Sequence, residues 1–133
     1  LEYVSAERMI SGKGLVNVYR AISSIDGVDV PERDASDITH VGLSGECKVC
    51  EEVIDHFCAM LGTVARNCAI SPMSFGGVYI AGGIVPKLGD YFAQSKFRER
   101  FEGPGGMRKH LEKIPTYVIT HSDPAFIGLK NLL

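Results

Sequence analysis

Gly76-Gly77-Val78-Tyr79-Ile80-Ala81-Gly82-Gly83 is a short apolar run bracketed by glycine pairs. With no polar residue interrupting it, the run reads as a buried strand followed by a tight turn, because a strand covered on both faces does not alternate. Pro86 then suits the first turn of a helix, where its missing N–H has no partner to lose. Downstream, Pro115-Thr116-Tyr117-Val118-Ile119-Thr120 reads as a second strand, and Asp123-Pro124 opens a terminal helix with Phe126, Ile127 and Leu129 as its apolar residues. Between the two runs, Leu88, Tyr91, Phe92, Phe97 and Phe101 fall at helical spacing and predict a helix over 87–101. The string EGPGG at 102–106 interrupts that pattern, and a shorter helix over 106–112 follows. Strands separated by helical stretches imply a parallel sheet with crossover helices, so the fold class is α/β.

Upstream lies the strongest periodic signal of the chain. Val49, Val53, Phe57, Met60, Val64 and Cys68 recur at steps of four or three, with Ile54, Leu61 and Ala65 alongside, which predicts one helix over about 46–70. At 1.5 Å per residue it would be ~36 Å long, and its wide apolar stripe needs a large partner, for which a sheet is expected. Met9, Ile10, Leu15, Val16, Tyr19 and Ile22 predict helix over 5–22 with Ser5 as N-cap. Gly12 and Gly14 each cost about 1 kcal/mol in a helix interior, so a break there is anticipated. Asp26 to Asp34 has turn chemistry, and a short helix over 35–41 follows.

Two strands are too few to cover so much helical apolar surface. Further strands are therefore expected from chain upstream of Leu1. The chain begins at Leu1 rather than at methionine, and its first residues already read as the interior of a structured segment, so truncation or processing is expected. Apolar surface left where such strands should pack would favour self-association into a homo-oligomer.

Of the 133 residues, 45% are hydrophobic and 23% charged, the composition of one globular domain. A chain of this size buries roughly two-thirds of the surface that it exposes unfolded, so neither metal nor disulfide is required for stability. The net charge of −2 and the scattered basic residues exclude the footprint of a nucleic-acid binder. The densest basic spots, Lys96 to Arg100 and Arg108-Lys109, have acidic neighbours and read as solvated faces. No apolar run approaches the ~20 residues of a membrane span, and the start lacks the layout of a signal peptide. A cytoplasmic setting with reduced thiols is the corresponding expectation.

Ligands of open parallel sheets gather at the carboxyl ends of strands, which places Gly82-Gly83 and His121-Ser122-Asp123 on the ligand side. Glycines at 82 and 83 allow close backbone approach to a planar base or a phosphate, although a purely steric turn accounts for them equally well. Three consecutive residues do not make a hydrolytic triad, whose members converge from separate places, so Asp123 reads as a helix N-cap. Cys47 and Cys50 form a C-x-x-C. His56 and Cys58 lie too far round or along the same helix to complete a zinc site, leaving free thiols. Glu7 reads first as a first-turn carboxylate favourable to the helix dipole, a type of group that also grips sugar hydroxyls.

Ser5-Ala6-Glu7-Arg8-Met9-Ile10-Ser11-Gly12-Lys13-Gly14-Leu15-Val16-Asn17-Val18-Tyr19-Arg20 and Phe75 to Pro86 resemble the bacterial glucokinase family. The similarity continues through Phe97 to Glu102, Ile114-Pro115 and Asp123-Pro124, and so covers nearly the whole chain. The resemblance implies the actin-like ATPase (ribonuclease H-like) fold of hexokinases, in which two α/β domains close over a cleft. Residues 1–133 would be the carboxyl-terminal portion of the larger domain. It further implies ATP-dependent phosphorylation of glucose to glucose 6-phosphate, the first step of glycolysis, with ATP and Mg2+ as cofactors of the intact enzyme. By the same resemblance Glu7 corresponds to a glutamate that hydrogen-bonds glucose hydroxyls, and Gly82 and Gly83 to the adenosine-side turn.

The family's Asp-x-Gly-Gly-Thr phosphate loop, its Asn-Asp pair bearing the general base and its Gly-Glu-Gly-Gly-His string have no counterpart in these residues, so no catalytic residue is assigned in this chain and the chain alone is expected to be inactive. Phe126 to Leu133 also has fewer small residues than the family's usual terminal helix start, and the zinc-binding cysteine motif of related sugar kinases is not matched. A rival expectation is a non-catalytic sugar-sensing or assembly module that reuses the fold.

Overall fold

A computed structural model describes residues 3–132. A 3-10 turn, Ala6–Arg8, precedes three helices, α1 (Gly12–Asp26), α2 (Ala35–Ser44) and α3 (Lys48–Ile70). Strand β1 (Val78–Ile80) leads into the short helices α4 (Val85–Leu88), α5 (Asp90–Gln94), α6 (Phe97–Glu102) and α7 (Arg108–Leu111). Strand β2 (Thr116–Val118) and helix α8 (Pro124–Lys130) complete the described chain.

The two strands pair in parallel, with Val78, Tyr79 and Ile80 opposite Thr116, Tyr117 and Val118. Val78 donates to the carbonyl of Pro115 and Ile119 to that of Ile80, at 2.9 and 2.8 Å. Alternation divides the faces. Ile80 is buried and Val78 and Val118 pack on the core, whereas Tyr79 and Tyr117 stack at 5.1 Å on the other face and stay 65% and 47% exposed. The α/β class and the parallel crossover therefore hold, but the strand is covered on one face only among the described residues.

Each long helix starts on a side-chain acceptor that satisfies an otherwise unpaired amide. Ser11 Oγ accepts from Gly14 in α1, Asp34 Oδ1 from Ser36 and Asp37 in α2, and Cys47 Sγ from Cys50 in α3. The buried stripe of α3 is Cys50, Val53, Ile54, Phe57, Cys58, Gly62, Ala65 and Ala69. It lies one position round from the expected one, with Val49 and Val64 half-buried and Cys68 exposed. Its partners also differ from expectation: α3 packs mainly on α1, α2 and α6 rather than on the sheet. At Gly62 a β-carbon would collide with the carbonyl of Phe97, so the missing side chain lets α6 lie directly on α3.

Two further expectations change. The helix over 5–22 divides between Arg8 and Gly12, ahead of the glycines, and α1 runs on to Asp26. Ser5 occupies the N-cap position of the 3-10 turn but its side chain makes no capping bond. The single helix over 87–101 is three pieces, because the chain turns at Gly89 (φ 52°, ψ −131°) and Ser95 leaves helical geometry, its Oγ accepting from Phe97 at 3.2 Å. Helical spacing survives each turn because Leu88, Phe97 and Phe101 still face one core.

The described surface measures 8807 Å2. For a compact monomer of 14.4 kDa, scaling predicts about 6,800 Å2. The excess agrees with the exposed tyrosine face and with Phe126, Ile127 and Leu129, all exposed on α8. No helix among the described residues is long and apolar enough to cross a membrane.

Candidate functional site

Glu7 sits at the centre of the 3-10 turn, with its side chain exposed. Arg8 donates to the carbonyl of Ser5, and Met9 and Ile10 to that of Ala6, all at 3.0 Å. The turn is then tied to α1 from outside: Asn17 Nδ2 donates to the carbonyl of Arg8 at 3.1 Å. Gly14, in the first turn of α1, makes this packing possible. A β-carbon there would stand 2.6 Å from the carbonyl carbon of Met9. Gly14 thus serves close approach, whereas Gly12 opens α1 just after the break and a β-carbon there would make only an ordinary 3.8 Å contact with Ala35.

The result is an open concavity of about 530 Å3 whose walls include Ser5, Glu7, Ser11, Lys13 and Asn17. One carboxylate there stands among hydroxyl, amide and ammonium groups, a set able to accept from and donate to a polyhydroxylated ligand. Sequence reasoning had singled out Glu7 alone. Asn17 carried a signal, as an amide midway between the apolar Leu15 and Tyr19, but its partner Arg8 is nine residues away and becomes visible only once the turn has folded back.

Gly82 and Gly83 lie elsewhere, in the loop after β1, and do not line that concavity. Gly82 has φ 120°, which favours glycine; Gly83 does not need a positive φ. A β-carbon on either would meet nothing within 4 Å. Packing within the described chain therefore explains neither glycine, and only the backbone angle explains Gly82. The helix that follows, α4, has four residues with Pro86 in its first turn.

His121, Ser122 and Asp123 share the carboxyl edge of the sheet with that loop, all exposed. They satisfy one another: His121 Nδ1 accepts from the Asp123 amide at 3.0 Å, and Ser122 Oγ donates to Asp123 Oδ2 at 2.9 Å. Asp123 holds the N-cap position of α8, yet its carboxylate makes no capping bond because Ser122 engages it. All four cysteines are free, and no three His, Cys, Asp or Glu side chains among the described residues converge as metal ligands.

A family model described as Glucokinase matches residues 1–133. The chain belongs to the glucokinase family. A glucokinase of Paramagnetospirillum magneticum is 47% identical over 132 residues, 99% of this chain and 41% of that protein. One from Psychromonas ingrahamii is 47% identical over 129 residues, 96% of this chain and 40% of its own length. A solved glucokinase from an Antarctic psychrotroph superposes with a TM-score of 0.89 at 32% identity, across 99% of this chain and 41% of that one. The chain therefore spans about 40% of the length of its glucokinase relatives. Its architecture is a helix-rich part of the actin-like ATPase fold, with two parallel strands.

Proposed function

We propose that this chain is the carboxyl-terminal portion of the large domain of an ATP-dependent glucose kinase. The observation that carries the reading is the match of proteins named glucokinase across 99% of the chain but 41% of their own length. The surface excess over a compact monomer fits such a part.

In this reading Glu7 accepts hydrogen bonds from glucose hydroxyls, with the turn held rigid by Asn17 and Gly14. A carboxylate fixed before the sugar arrives orients it without the entropy cost of ordering a loop. Gly82 and Gly83 form the adenosine side of the ATP site, their bare backbone open to a flat ligand. Magnesium bound with ATP would neutralise charge on the transferring phosphoryl group, and no side chain of this chain is assigned to it. The base that deprotonates the sugar 6-hydroxyl belongs to the family's amino-terminal motifs, so catalysis requires the remaining 60% or so of a glucokinase length. The setting is cytoplasmic, and the exposed tyrosine face is the surface through which copies or missing strands associate.

Replacing Glu7 with alanine in the full-length kinase tests the assignment. The specificity constant for glucose should fall by about 1.5–3 kcal/mol, the range of a hydrogen bond to a charged group. An unchanged constant would return Glu7 to a surface role at a helix start.

A further inference from the structure

Away from the Glu7 turn and the glycine loop, two thiols meet at the start of α3. Cys47 is the N-cap and Cys50 the third residue of the helix, and the Cys50 amide donates to Cys47 Sγ at 3.4 Å. Cys47 is half-buried and so within reach of solvent, whereas Cys50 is fully buried behind it. Arg33, from the α1–α2 connection, lines a small cavity with the buried Tyr19, and its Nε is buried without a hydrogen-bond partner.

We propose that Cys47 and Cys50 form a thiol–disulfide exchange site, in which Cys47 attacks a low-molecular-weight disulfide and Cys50 resolves the adduct. The Cys47 thiolate attacks one sulfur of the disulfide, forming a mixed disulfide and expelling the first thiolate, which takes up a proton. Cys50 then loses its proton and attacks Cys47 Sγ. The Cys47–Cys50 bond forms and the second small thiol leaves, so two protein thiols are oxidised and one disulfide is reduced to two thiols.

The environments separate the two roles. Desolvation raises the Cys47 thiol, but the hydrogen bonds from Cys50 and the Val49 amide, together with the Arg33 charge, outweigh it and hold the thiol below its ordinary range. Burial pushes Cys50 up to about 12, and the neighbouring Cys47 adds to this. A thiolate at low cost on the accessible sulfur, and a protonated thiol behind it, is the division that attack and resolution need. The other cysteines lack it. Cys58 is buried and pushed up to about 11, first by desolvation, and Cys68 is exposed with no second thiol beside it.

The test exposes the full chain to glutathione disulfide at neutral pH, quenches with acid and maps the products by peptide mass. The expected product is an internal Cys47–Cys50 disulfide, formed about tenfold or more faster than any adduct on Cys68. In Cys50→Ser, a stable glutathione adduct should accumulate on Cys47, while in Cys47→Ser position 50 should stay unmodified. Arg33→Gln should slow the Cys47 reaction several-fold and leave Cys68 unchanged, and urea should abolish the preference. Faster reaction at Cys68, a persistent Cys47 adduct in the unaltered chain, or equal rates in native buffer and in urea would overturn the proposal.

Discussion

Asn17 and Arg8 are joined by a 3.1 Å hydrogen bond from the side-chain amide to the backbone carbonyl, and this bond closes the Glu7 turn onto the face of α1. The carbonyl it satisfies belongs to the last residue of the 3-10 turn, whose acceptors have no helical partner of their own. Glu7 is therefore presented by a turn whose carboxyl end is held twice. Asn17 anchors it at Arg8, and the close contact of Gly14 with the Met9 backbone anchors the next residue.

Gly14→Ala should be destabilising although alanine is the better helix former. The added methyl meets the Met9 backbone, not a flexible side-chain tip, and overpacking of this kind costs about 1–3 kcal/mol. The propensity gain of at most about 1 kcal/mol does not offset it. Urea unfolding of the variant should show a lower midpoint with an unchanged slope, and a raised midpoint would contradict the packing described here.

Gly82 and Gly83 should respond differently to alanine. At φ 120° an alanine at 82 is strained by about 1–3 kcal/mol, visible as lost stability without any ligand. Gly83→Ala meets open space and should leave the unfolding midpoint in place. In the full-length kinase it should instead raise KM for ATP about tenfold, roughly 1.4 kcal/mol. An unaltered KM for ATP would remove Gly83 from the nucleotide site.

Arg98 holds the approach to β2. Its guanidinium donates to the carbonyls of Ile114, Glu112 and Leu111 at 2.9, 3.0 and 3.3 Å while pairing with Glu102 at 2.8 Å. Lysine keeps the charge but loses the planar fork, so Arg98→Lys should cost about 1–3 kcal/mol. Hydrogen exchange should accelerate first in Leu111 to Val118, and uniform acceleration across α1 to α3 instead would deny Arg98 this local role.

The 133-residue chain by itself should show negligible glucose-dependent ATP hydrolysis or phosphoryl transfer, since it carries neither the family's phosphate loop nor its base. A coupled assay with purified chain at high enzyme concentration checks this. Turnover that depends on both glucose and ATP would place catalytic groups within these residues.

Several features were legible in order along the chain. Glycine pairs flanking an apolar run located β1, apolar residues at steps of four or three located α3 to within two residues of each end, and the intervening helical patterns implied the parallel pairing. The expected helix over 87–101 failed for a physical reason. Leu88, Phe97 and Phe101 reach one core from different short helices, so their spacing reports a shared buried surface and not a continuous backbone. The partner of α3 was equally illegible, because a small residue such as Gly62 announces close approach without saying what approaches.

The sequence by itself settled where the two strands and the long helices fall and, through the quoted strings, the glucokinase family to which the chain belongs. Only the tertiary structure decided which residues share a site. Asn17 reaches Arg8 and Arg98 reaches Ile114, across 9 and 16 positions. Periodicity reports which face of an element is buried, but the partner across the gap depends on how faces fit once packed, and that is a property of three dimensions.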